Sequence, residues 1–264
     1  RCGFFSAKEY LNLLANEFNL VYSRPGAHLQ SAAQASFDTW IKHYRPDENS
    51  SNSGISYYNK GAMHTVALDI EILVQTKGVK RLDDVLRAAY EKFYKKENRG
   101  FEEEEFLSLA ETVTGVHLSQ IFEAAHHSCE IDYNTYFHQV GYRLVNLLQE
   151  NRELHLGIKT TIQDGRILIK NVERGSSAWQ AGLNVDDELI AINGNRLDNL
   201  GKEIEYVLTN GKEDEIVDIL ISRDGTVRTI HTPLWKSTKT HWVIEEIMDA
   251  SAEEKMLGRI WLSI

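Results

Sequence analysis

The sequence predicts a multi-domain α + β protein, in which an all-α half is followed by a small β-rich domain with two helices. Apolar residues recur at helical spacing through the first half, and the spacing changes to alternation near residue 153. The length of 264 residues is that of about two domains. We expect a helical domain at 1–140, a linker at 141–152, the β-rich domain at 153–235 and a tail with a short helix at 236–264.

The composition is that of an ordinary globular protein, with 42% hydrophobic and 26% charged residues. The net charge of −10 at pH 7 argues against nucleic acid and anionic membrane surfaces as partners. No stretch approaches the ~18 uncharged apolar residues of a membrane span. Cys2 and Cys129 are too few to indicate a disulfide framework. The sequence therefore predicts a soluble protein and leaves its compartment open between cytoplasm and periplasm.

The central element is a long amphipathic helix that begins at Tyr57 and Tyr58 and ends near Lys77 and Gly78. A run of turn-forming residues, 45–54, precedes it. Its apolar residues share one face: Met63, Val66, Ala67, Ile70, Leu73 and Val74. Two tyrosines at the start of such a helix can present phenol groups to a cleft. The alternative is that both are ordinary half-buried aromatics.

Caps and apolar spacing indicate further helices in the first half. Ser6 and Glu9 fit a capping box that opens the first of them. The remaining helical segments are 29–41, 82–93, 101–114, 118–125 and 132–140. No alternation longer than four residues occurs before residue 154, and for that reason this half is predicted to be all-α.

Two clusters in this half invite interpretation as metal sites. Residues 102–105 are four acids at a helix start, where solvated side chains that complement the helix dipole are the simpler explanation. Residues 126–130, His-His-Ser-Cys-Glu, combine imidazole, thiol and carboxylate groups, but adjacent histidines point in different directions on a helix. We therefore predict no metal site in this chain.

The segment around the central tyrosines resembles a family of zinc metallopeptidases. Residues 58–62, Tyr-Asn-Lys-Gly-Ala, are similar to the Tyr-x-Lys-Gly-Ala segment downstream of the zinc-binding helix in gluzincin aminopeptidases. The runs 36–41, 44–49 and 56–58 resemble the glycyl aminopeptidase family, whose members carry a PDZ domain after the catalytic domain. The resemblance implies that the helical half is the C-terminal half of a thermolysin-like catalytic domain. It also implies that Tyr58 donates a hydrogen bond to the oxyanion of the tetrahedral intermediate.

The same family implies a catalytic zinc held by His-Glu-x-x-His on a helix and by a further Glu. None of the ten histidines is followed by Glu, and no two stand four residues apart. The chain begins at Arg1, without an initiator Met. We therefore expect a C-terminal fragment without a cofactor of its own, whose partner is the upstream catalytic half of the same protein. Zinc is expected in the full-length parent, and the fragment alone should be inactive.

The second half resembles a PDZ domain of the bacterial protease type over residues 153–235. Asp-Gly pairs at 164–165 and 224–225 predict hairpin turns. Residues 175–183 read Gly-Ser-Ser-Ala-Trp-Gln-Ala-Gly-Leu, a short helix with a Ser cap and a Gly stop. Residues 186–194 read Asp-Asp-Glu-Leu-Ile-Ala-Ile-Asn-Gly, a strand entering a tight turn. The sequence departs from the PDZ pattern in having Asp-Asp where Gly-Asp is usual.

PDZ domains bind a chain end as an added strand, and backbone N–H groups of a Leu-Gly-Ile-type loop hold its carboxylate. The peptide-binding residues that the resemblance implies are Leu156, Gly157 and Ile158 in the loop and Ile204, Val207 and Leu208 on the opposite helix. The expected partner is a peptide or protein C-terminus. In the alternative, the domain only packs against the catalytic domain and its groove stays empty or blocked. The apolar tail either packs back on the body or occupies such a groove.

Two hypotheses from different classes follow. In the first, the chain is the C-terminal part of a zinc-dependent aminopeptidase that hydrolyses peptide bonds, and it supplies Tyr58 and a PDZ module. In the second, it is a non-catalytic peptide-binding adaptor with a helical scaffold. A His-Glu-x-x-His in the upstream coding sequence would favour the first, and a start codon just before Arg1 would favour the second.

Overall fold

The computed structural model describes residues 3–128, 131–150, 152–198 and 201–263. Within these, the part before residue 141 is helical. Its helices are α1 (Ala7–Tyr22), α2 (Ala32–Phe37), α3 (Thr39–Lys42), α4 (Ser50–Ser53), α5 (Tyr57–Gln75), α6 (Leu82–Ala89), α7 (Glu103–Thr114), α8 (Ser119–His126) and α9 (Tyr133–Gln139), with a 3₁₀ turn at Pro25–His28 and a π-helical segment at Tyr90–Lys96.

Local capping starts α1 and ends α5 where the sequence predicts, whereas the predicted helix 29–41 is divided into α2 and α3. The hydroxyl of Ser6 accepts a hydrogen bond from the N–H of Glu9, and the Glu9 carboxylate accepts one from the N–H of Ser6. At the end of α5, Gly78 adopts φ +83° and its N–H donates to the carbonyl of Leu73 at 2.7 Å. The predicted central helix and its termination are therefore confirmed.

The core of the helical half forms around α5. Its apolar stripe packs against α1, α9 and the C-terminal segment, and the largest fully buried side chains there include Phe18, Ile70, Leu73 and Phe137. Burying such side chains contributes about 1.5–3 kcal/mol each. α5 is therefore held firmly along its length, which fixes the position of its first turn.

The β-rich half contains β2 (Leu154–His155), β3 (Ile158–Gln163), β4 (Arg166–Val172), α10 (Ser177–Ala181), β5 (Glu188–Ile192), β6 (Asn195–Arg196), α11 (Lys202–Asn210), β7 (Ile216–Arg223), β8 (Thr226–Pro233) and β9 (Trp235–Lys236). The main sheet is antiparallel in the order β3-β4-β5-β7-β8, and β6 pairs with β5. β3 is a terminal strand of this sheet. The predicted mixed α and β architecture is confirmed, while closure into a barrel or sandwich stays a prediction.

Tight turns join the strands at the Asp-Gly pairs that the sequence indicates. Asp164 and Gly165 have φ +51° and +74°, and Asp224 and Gly225 have φ +51° and +76°. Positive φ at both central residues is the geometry that favours Gly in two-residue hairpins. The hairpins β3–β4 and β7–β8 therefore follow from the sequence pattern.

Asp186 and Asp187 stand where PDZ domains usually have Gly-Asp, and the two residues have different roles. Asp186 adopts φ +65°, the left-handed conformation that glycine adopts most readily. The Asp187 carboxylate is fully buried and receives Nε and Nη2 of Arg223 at 2.6 and 2.7 Å. It also accepts the N–H of Asn184 at 2.8 Å. The ion pair between Asp187 and Arg223 connects the loop after α10 to strand β7.

The segment 141–152, predicted as a linker, contains a strand, β1 (Tyr142–Asn146). β1 pairs antiparallel with β10 (Trp242–Glu246) of the tail, from Tyr142 opposite Glu246 to Asn146 opposite Trp242. The expectation that no strand occurs before residue 154 is therefore wrong for this segment, while the domain bounds stay a prediction. Only five residues form β1 and its partner is about a hundred residues away, which leaves no local signal.

The tail returns to the helical half. β10 contacts α1, and α12 (Ala252–Leu262) begins with a capping box between Ser251 and Glu254. Leu257, Trp261 and Leu262 are buried in the same core as α5. Of the two alternatives for the tail, packing back on the body is the one observed for its described residues.

The two halves meet through α4 and the end of β4. The buried side chain of Asn52 donates to the carbonyl of Val172 at 2.7 Å and accepts the N–H of Arg174 at 2.8 Å. Asn171 donates to the carbonyl of Glu48 at 2.8 Å. These bonds place the PDZ-like half beside the loop that leads to α5. None of the described helices combines the length and apolar character needed to cross a membrane.

Candidate functional site

The start of α5 is positioned by a loop that hydrogen-bonds to a neighbouring loop. Ser56 caps the helix, and its hydroxyl accepts the N–H of Asn59 at 3.4 Å. Just before it, the N–H of Ile55 donates to the side-chain oxygen of Gln30 at 3.1 Å. The first turn of α5 is thereby tied to the loop before α2.

Lys60 fixes the same two elements from inside the protein. Its side chain is only 6% exposed, and its ammonium donates to the carbonyls of Ala27 and Gln30 at 2.9 and 3.0 Å. A buried ammonium is tolerated only when hydrogen bonds replace its hydration. Lys60 therefore acts as a positioning residue one turn below the tyrosines. In the sequence, Lys60 stands out as a cation close to the apolar positions of the amphipathic helix.

The phenol of Tyr58 lies at the open end of α5, where 60% of the residue is exposed. Its hydroxyl stands 3.5 Å from the hydroxyl of Tyr44, and either can donate to the other. The ring of Tyr57 lies against that of Tyr58, with centroids 4.1 Å apart and planes inclined by 31°. Three phenols therefore form one cluster, of which sequence spacing indicated only two.

Hydrogen bonds within this cluster give its three tyrosines different pKa values. The pKa of Tyr58 is lowered, because its phenolate would accept hydrogen bonds from Tyr44 and from Tyr57. The pKa of Tyr57 is raised, chiefly through its hydrogen bond to Tyr58, and that of Tyr44 is also raised. A more acidic hydroxyl is the better hydrogen-bond donor. Of the three phenols, Tyr58 is therefore the best donor.

The tyrosine cluster adjoins an exposed aromatic face on α2 and α3. Phe37, Trp40, Ile41 and Tyr44 recur at helical spacing on one side, and each exposes about half of its surface or more. The rings of Trp40 and Tyr44 have centroids 5.1 Å apart. Large apolar side chains exposed so close together mark an interaction site more often than scattered ones do.

No group of three or more His, Cys, Asp or Glu residues in the described ranges is arranged to hold a metal ion. The His126 imidazole contacts Glu103 at 2.6 Å, whereas that of His127 faces Glu123 at 3.7 Å. Of the residues considered for a metal site, Cys129 and Glu130 lie outside the described residues. A zinc site of the kind that the resemblance implies does not fit the side chains described in this chain.

The loop predicted to hold a peptide carboxylate adopts a tight conformation. Gly157 has φ +79°, and a Cβ at this position would lie 2.1 Å from the Cβ of Ser176. The carbonyls on either side are occupied, since Leu156 accepts from Ala178 at 3.0 Å and Gly157 accepts from Glu173 at 2.7 Å. Glycine is therefore required here both by conformation and by space.

One loop N–H already has an acceptor. The N–H of Gly157 donates to Nδ1 of His155 at 3.0 Å, and burial lowers the pKa of this histidine, as does the nearby Lys239. A bound carboxylate would compete with the imidazole for this donor. The sequence did not indicate His155, because a residue just before the loop motif carries no pattern of its own.

The predicted groove residues share one core. Ile158, Ile204, Val207 and Leu208 are half-buried, and all pack against the cluster that contains Leu156. β3, which starts at Ile158, is the terminal strand of the main sheet, so its outer edge has no partner strand among the described residues. An open strand edge beside a helix is the arrangement that accepts an added strand.

Comparisons with known proteins agree with both resemblances. Residues 1–64 match the family described as M61 glycyl aminopeptidase, and residues 155–234 match the PDZ domain. The crystal structure of an aminopeptidase N family protein from Idiomarina loihiensis superposes with a TM-score of 0.80 at 22% identity, covering 98% of this chain and 45% of that chain. The similarity to the glycyl aminopeptidase family and to PDZ domains that the sequence indicates is thereby confirmed.

Two further matches concern the PDZ region. The chain is 32% identical over 77 residues to the carboxy-terminal processing protease CtpB of Bacillus subtilis (strain 168), covering 28% of this chain and 16% of that protein. The PDZ domain of the carboxy-terminal protease from Vibrio cholerae, solved in complex with peptide, matches at 18% identity with a TM-score of 0.27, covering 32% of this chain and 96% of that chain. The chain thus spans less than half the length of the Idiomarina and Bacillus proteins it matches.

Proposed function

We propose that this chain, which carries an M61 glycyl aminopeptidase region and a PDZ domain, is the C-terminal part of a zinc-dependent aminopeptidase. The observation that carries the proposal is the Tyr58 hydroxyl, exposed at the rigid start of α5 and made more acidic by two neighbouring phenols. The helical half would then be part of a thermolysin-like, gluzincin catalytic domain, consistent with the fold similarity over 98% of the chain.

In this function Tyr58 donates its proton into a hydrogen bond with the oxyanion that forms when the peptide carbonyl is attacked. Such a donor is effective because it is already oriented before charge develops. Lys60 and Ser56 hold the first turn of α5, so the phenol needs little reorganisation. We assign the zinc ligands and the general base to the upstream catalytic half, since the described residues do not form a zinc site.

The test is Tyr58→Phe in the full-length protein that contains the His-Glu-x-x-His. Loss of one oxyanion donor should lower kcat by about two to three orders of magnitude and leave KM within a few-fold. Tyr94→Phe is the matched control, because it removes an equally exposed phenol outside the cluster and should change kcat far less. Unchanged turnover in Tyr58→Phe, with circular dichroism unaltered, would refute the assignment.

The chain alone offers a complementary measurement. Purified without the upstream half, it should bind no stoichiometric zinc and release no amino acid from peptide substrates. Zinc content can be measured by atomic absorption and turnover with an aminopeptidase chromogenic substrate. Stoichiometric zinc or clear turnover would contradict the division of the catalytic parts proposed here.

We further propose that the PDZ domain binds a peptide or protein C-terminus along β3, with the carboxylate on Leu156–Ile158 and side chains against α11. The open edge of β3 and its distance in sequence from the tyrosine cluster also suit the second candidate function, a peptide-binding adaptor. Titration of a hydrophobic peptide with a free C-terminus should shift the amide resonances of residues 156–158, whereas its C-terminally amidated form should not. Absence of any shift at millimolar peptide would remove the binding role.

A further inference from the structure

A large cleft lies where three parts of the molecule meet. Its volume is about 1260 Å³. It is lined by the helical half and β1 (the end of α1, the following loop, residues 131–134 and Leu144), by the PDZ domain around the start of β3 and the end of β4, and by residues 238–242 at the start of β10. The cleft shares Lys159 of β3 with the strand proposed to bind a C-terminal peptide, and the rest of its lining belongs to neither the proposed catalytic role nor the proposed PDZ role. It is larger than the ~300–1,000 Å³ that is typical of sites for small molecules.

Cations from each of the three parts line this cleft. Arg24 comes from the loop after α1, Lys159 from β3 and Lys239 from the segment before β10. Throughout the described ranges, none of the three side chains forms an ion pair with a carboxylate. Arg174, the fourth cation of the cleft, has its guanidinium 5.7 Å from the centroid of the Trp179 ring.

The two acidic residues of the cleft are occupied by other groups. Asp132 caps α9 and accepts the N–H of Asn134 at 3.0 Å, and the Thr135 hydroxyl lies 3.1 Å from its other oxygen. Glu173 accepts the hydroxyl of Thr238 at 2.6 Å. These neutral donors leave both carboxylates charged, but four Lys or Arg side chains against two carboxylates make the lining net positive on a chain whose net charge is −10. Clefts lined by one sign of charge concentrate the field and attract ligands of the opposite sign.

Between the charges the walls are apolar. They include Leu20, Tyr22, Ile131, Leu144 and Trp242. A ligand that complements both features carries several carboxylates and also apolar side chains, and it is long enough to fill the cleft. We propose that this cleft binds an acidic polypeptide segment with interspersed apolar residues, at a site that adjoins β3 at Lys159 but does not include the PDZ carboxylate loop Leu156–Ile158.

A polypeptide fits this charge pattern better than a nucleic acid does. The chain as a whole has 39 acidic residues against 29 Lys and Arg, so a long polyanion that extends beyond the cleft meets a protein of net negative charge. A peptide that places a few carboxylates inside and neutral groups outside avoids this repulsion. The proposal does not depend on aminopeptidase activity, and it holds equally for an adaptor.

The experiment uses a fluorescein-labelled peptide in which Glu alternates with Leu, with an amidated C-terminus so that the PDZ loop is not engaged. Binding to the full chain is measured by fluorescence anisotropy, and a peptide with Gln in place of Glu is the ligand control. The acidic peptide should bind more tightly than the Gln peptide, and its affinity should fall as salt is raised. Equal affinity of the two peptides would overturn the proposal.

The site is located with the double variant Lys159→Gln/Lys239→Gln. Loss of two such charge contacts should weaken binding by about five- to thirtyfold. Lys8→Gln/Arg228→Gln removes two exposed cations outside the cleft and should leave the affinity within about twofold. An effect of the same size in both double variants, or none in the first, would refute the site.

Two additional measurements test where the peptide binds and whether a nucleic acid binds instead. Quenching of tryptophan fluorescence by the acidic peptide should be reduced in Trp242→Phe, because this indole lines the cleft. A single-stranded oligonucleotide should compete poorly with the acidic peptide. Competition by the oligonucleotide at comparable concentration would favour a nucleic acid as the occupant and would contradict the proposal.

Discussion

His64 gives the sharpest test of how α5 is buried. It lies on α5 between Lys60 and the core, with 6% of the residue exposed, and neither ring nitrogen has a hydrogen-bond partner among the described residues. Burial lowers the pKa of His64 to about 4, with a smaller contribution from the charge of Lys60. The imidazole is therefore neutral in the folded protein at pH values where an exposed histidine is protonated.

The sign of the effect on stability follows from this depressed pKa. In the unfolded chain the group titrates near 6.5, and in the folded protein near 4. The contribution of neutral His64 to the free energy of unfolding is complete above the pKa of the unfolded chain. It is lost as the pH falls towards the pKa of the folded protein. Linkage between the two values gives a loss of about 2.5 kcal/mol in the free energy of unfolding between about pH 7.5 and about pH 4.5.

The perturbation is His64→Leu, which removes the titrating group and keeps an apolar side chain in place. Urea denaturation at the two pH values should show a smaller acid-induced loss of stability in the variant, by about 2.5 kcal/mol, than in the unsubstituted protein. Pulsed hydrogen exchange of the α5 amides is the suitable probe, because the helical and PDZ halves can unfold separately.

The control is His117→Gln, which replaces an imidazole that is 99% exposed. Carboxylates that titrate over the same range are common to all three proteins, so they cancel in the comparison. His117→Gln should keep the pH dependence of the unsubstituted protein. If His64→Leu also kept it, the histidine would not be buried in the way described, and the packing inferred for this part of α5 would be wrong.

Three further changes test the scaffold and the PDZ loop. Arg223→Met should lower the free energy of unfolding of the PDZ half by about 3–5 kcal/mol, because Asp187 stays buried without its partner; urea denaturation measures this, and the double change with Asp187→Leu should recover much of the loss. Lys60→Met should lower the stability of the helical half by about 2 kcal/mol by leaving two loop carbonyls without a donor; an unchanged urea midpoint would contradict the role of its hydrogen bonds, and Lys8→Met is the surface control. Since protonation of His155 removes the acceptor of the Gly157 N–H, affinity for a C-terminal peptide should rise as the pH falls through the pKa of His155, which burial holds below the ordinary histidine value; His155→Ala should flatten this dependence in a calorimetric titration, and a pH-independent affinity in the unsubstituted protein would rule the competition out.

Much of the fold follows from local patterns. Capping boxes, apolar stripes and Asp-Gly turns act between residues close in sequence, so α1, α5 and the β3–β4 hairpin could be predicted. β1 could not, because its five residues become a strand only by pairing with β10 about a hundred residues later. The four-residue helix α4 was also missed, as it lies in a run of turn formers and is positioned by contacts with the PDZ half.

For the candidate site the division is similar. The sequence determined that Tyr57 and Tyr58 start a long helix and that a Leu-Gly-Ile loop precedes a strand, since both are patterns of neighbouring residues. Only the tertiary structure brought Tyr44 within reach of Tyr58, placed Lys60 under two loop carbonyls, and gathered the cations of the cleft from three separate segments. Contacts between distant segments depend on how elements pack, and the free energy of that packing is distributed over the whole core rather than encoded in any one stretch.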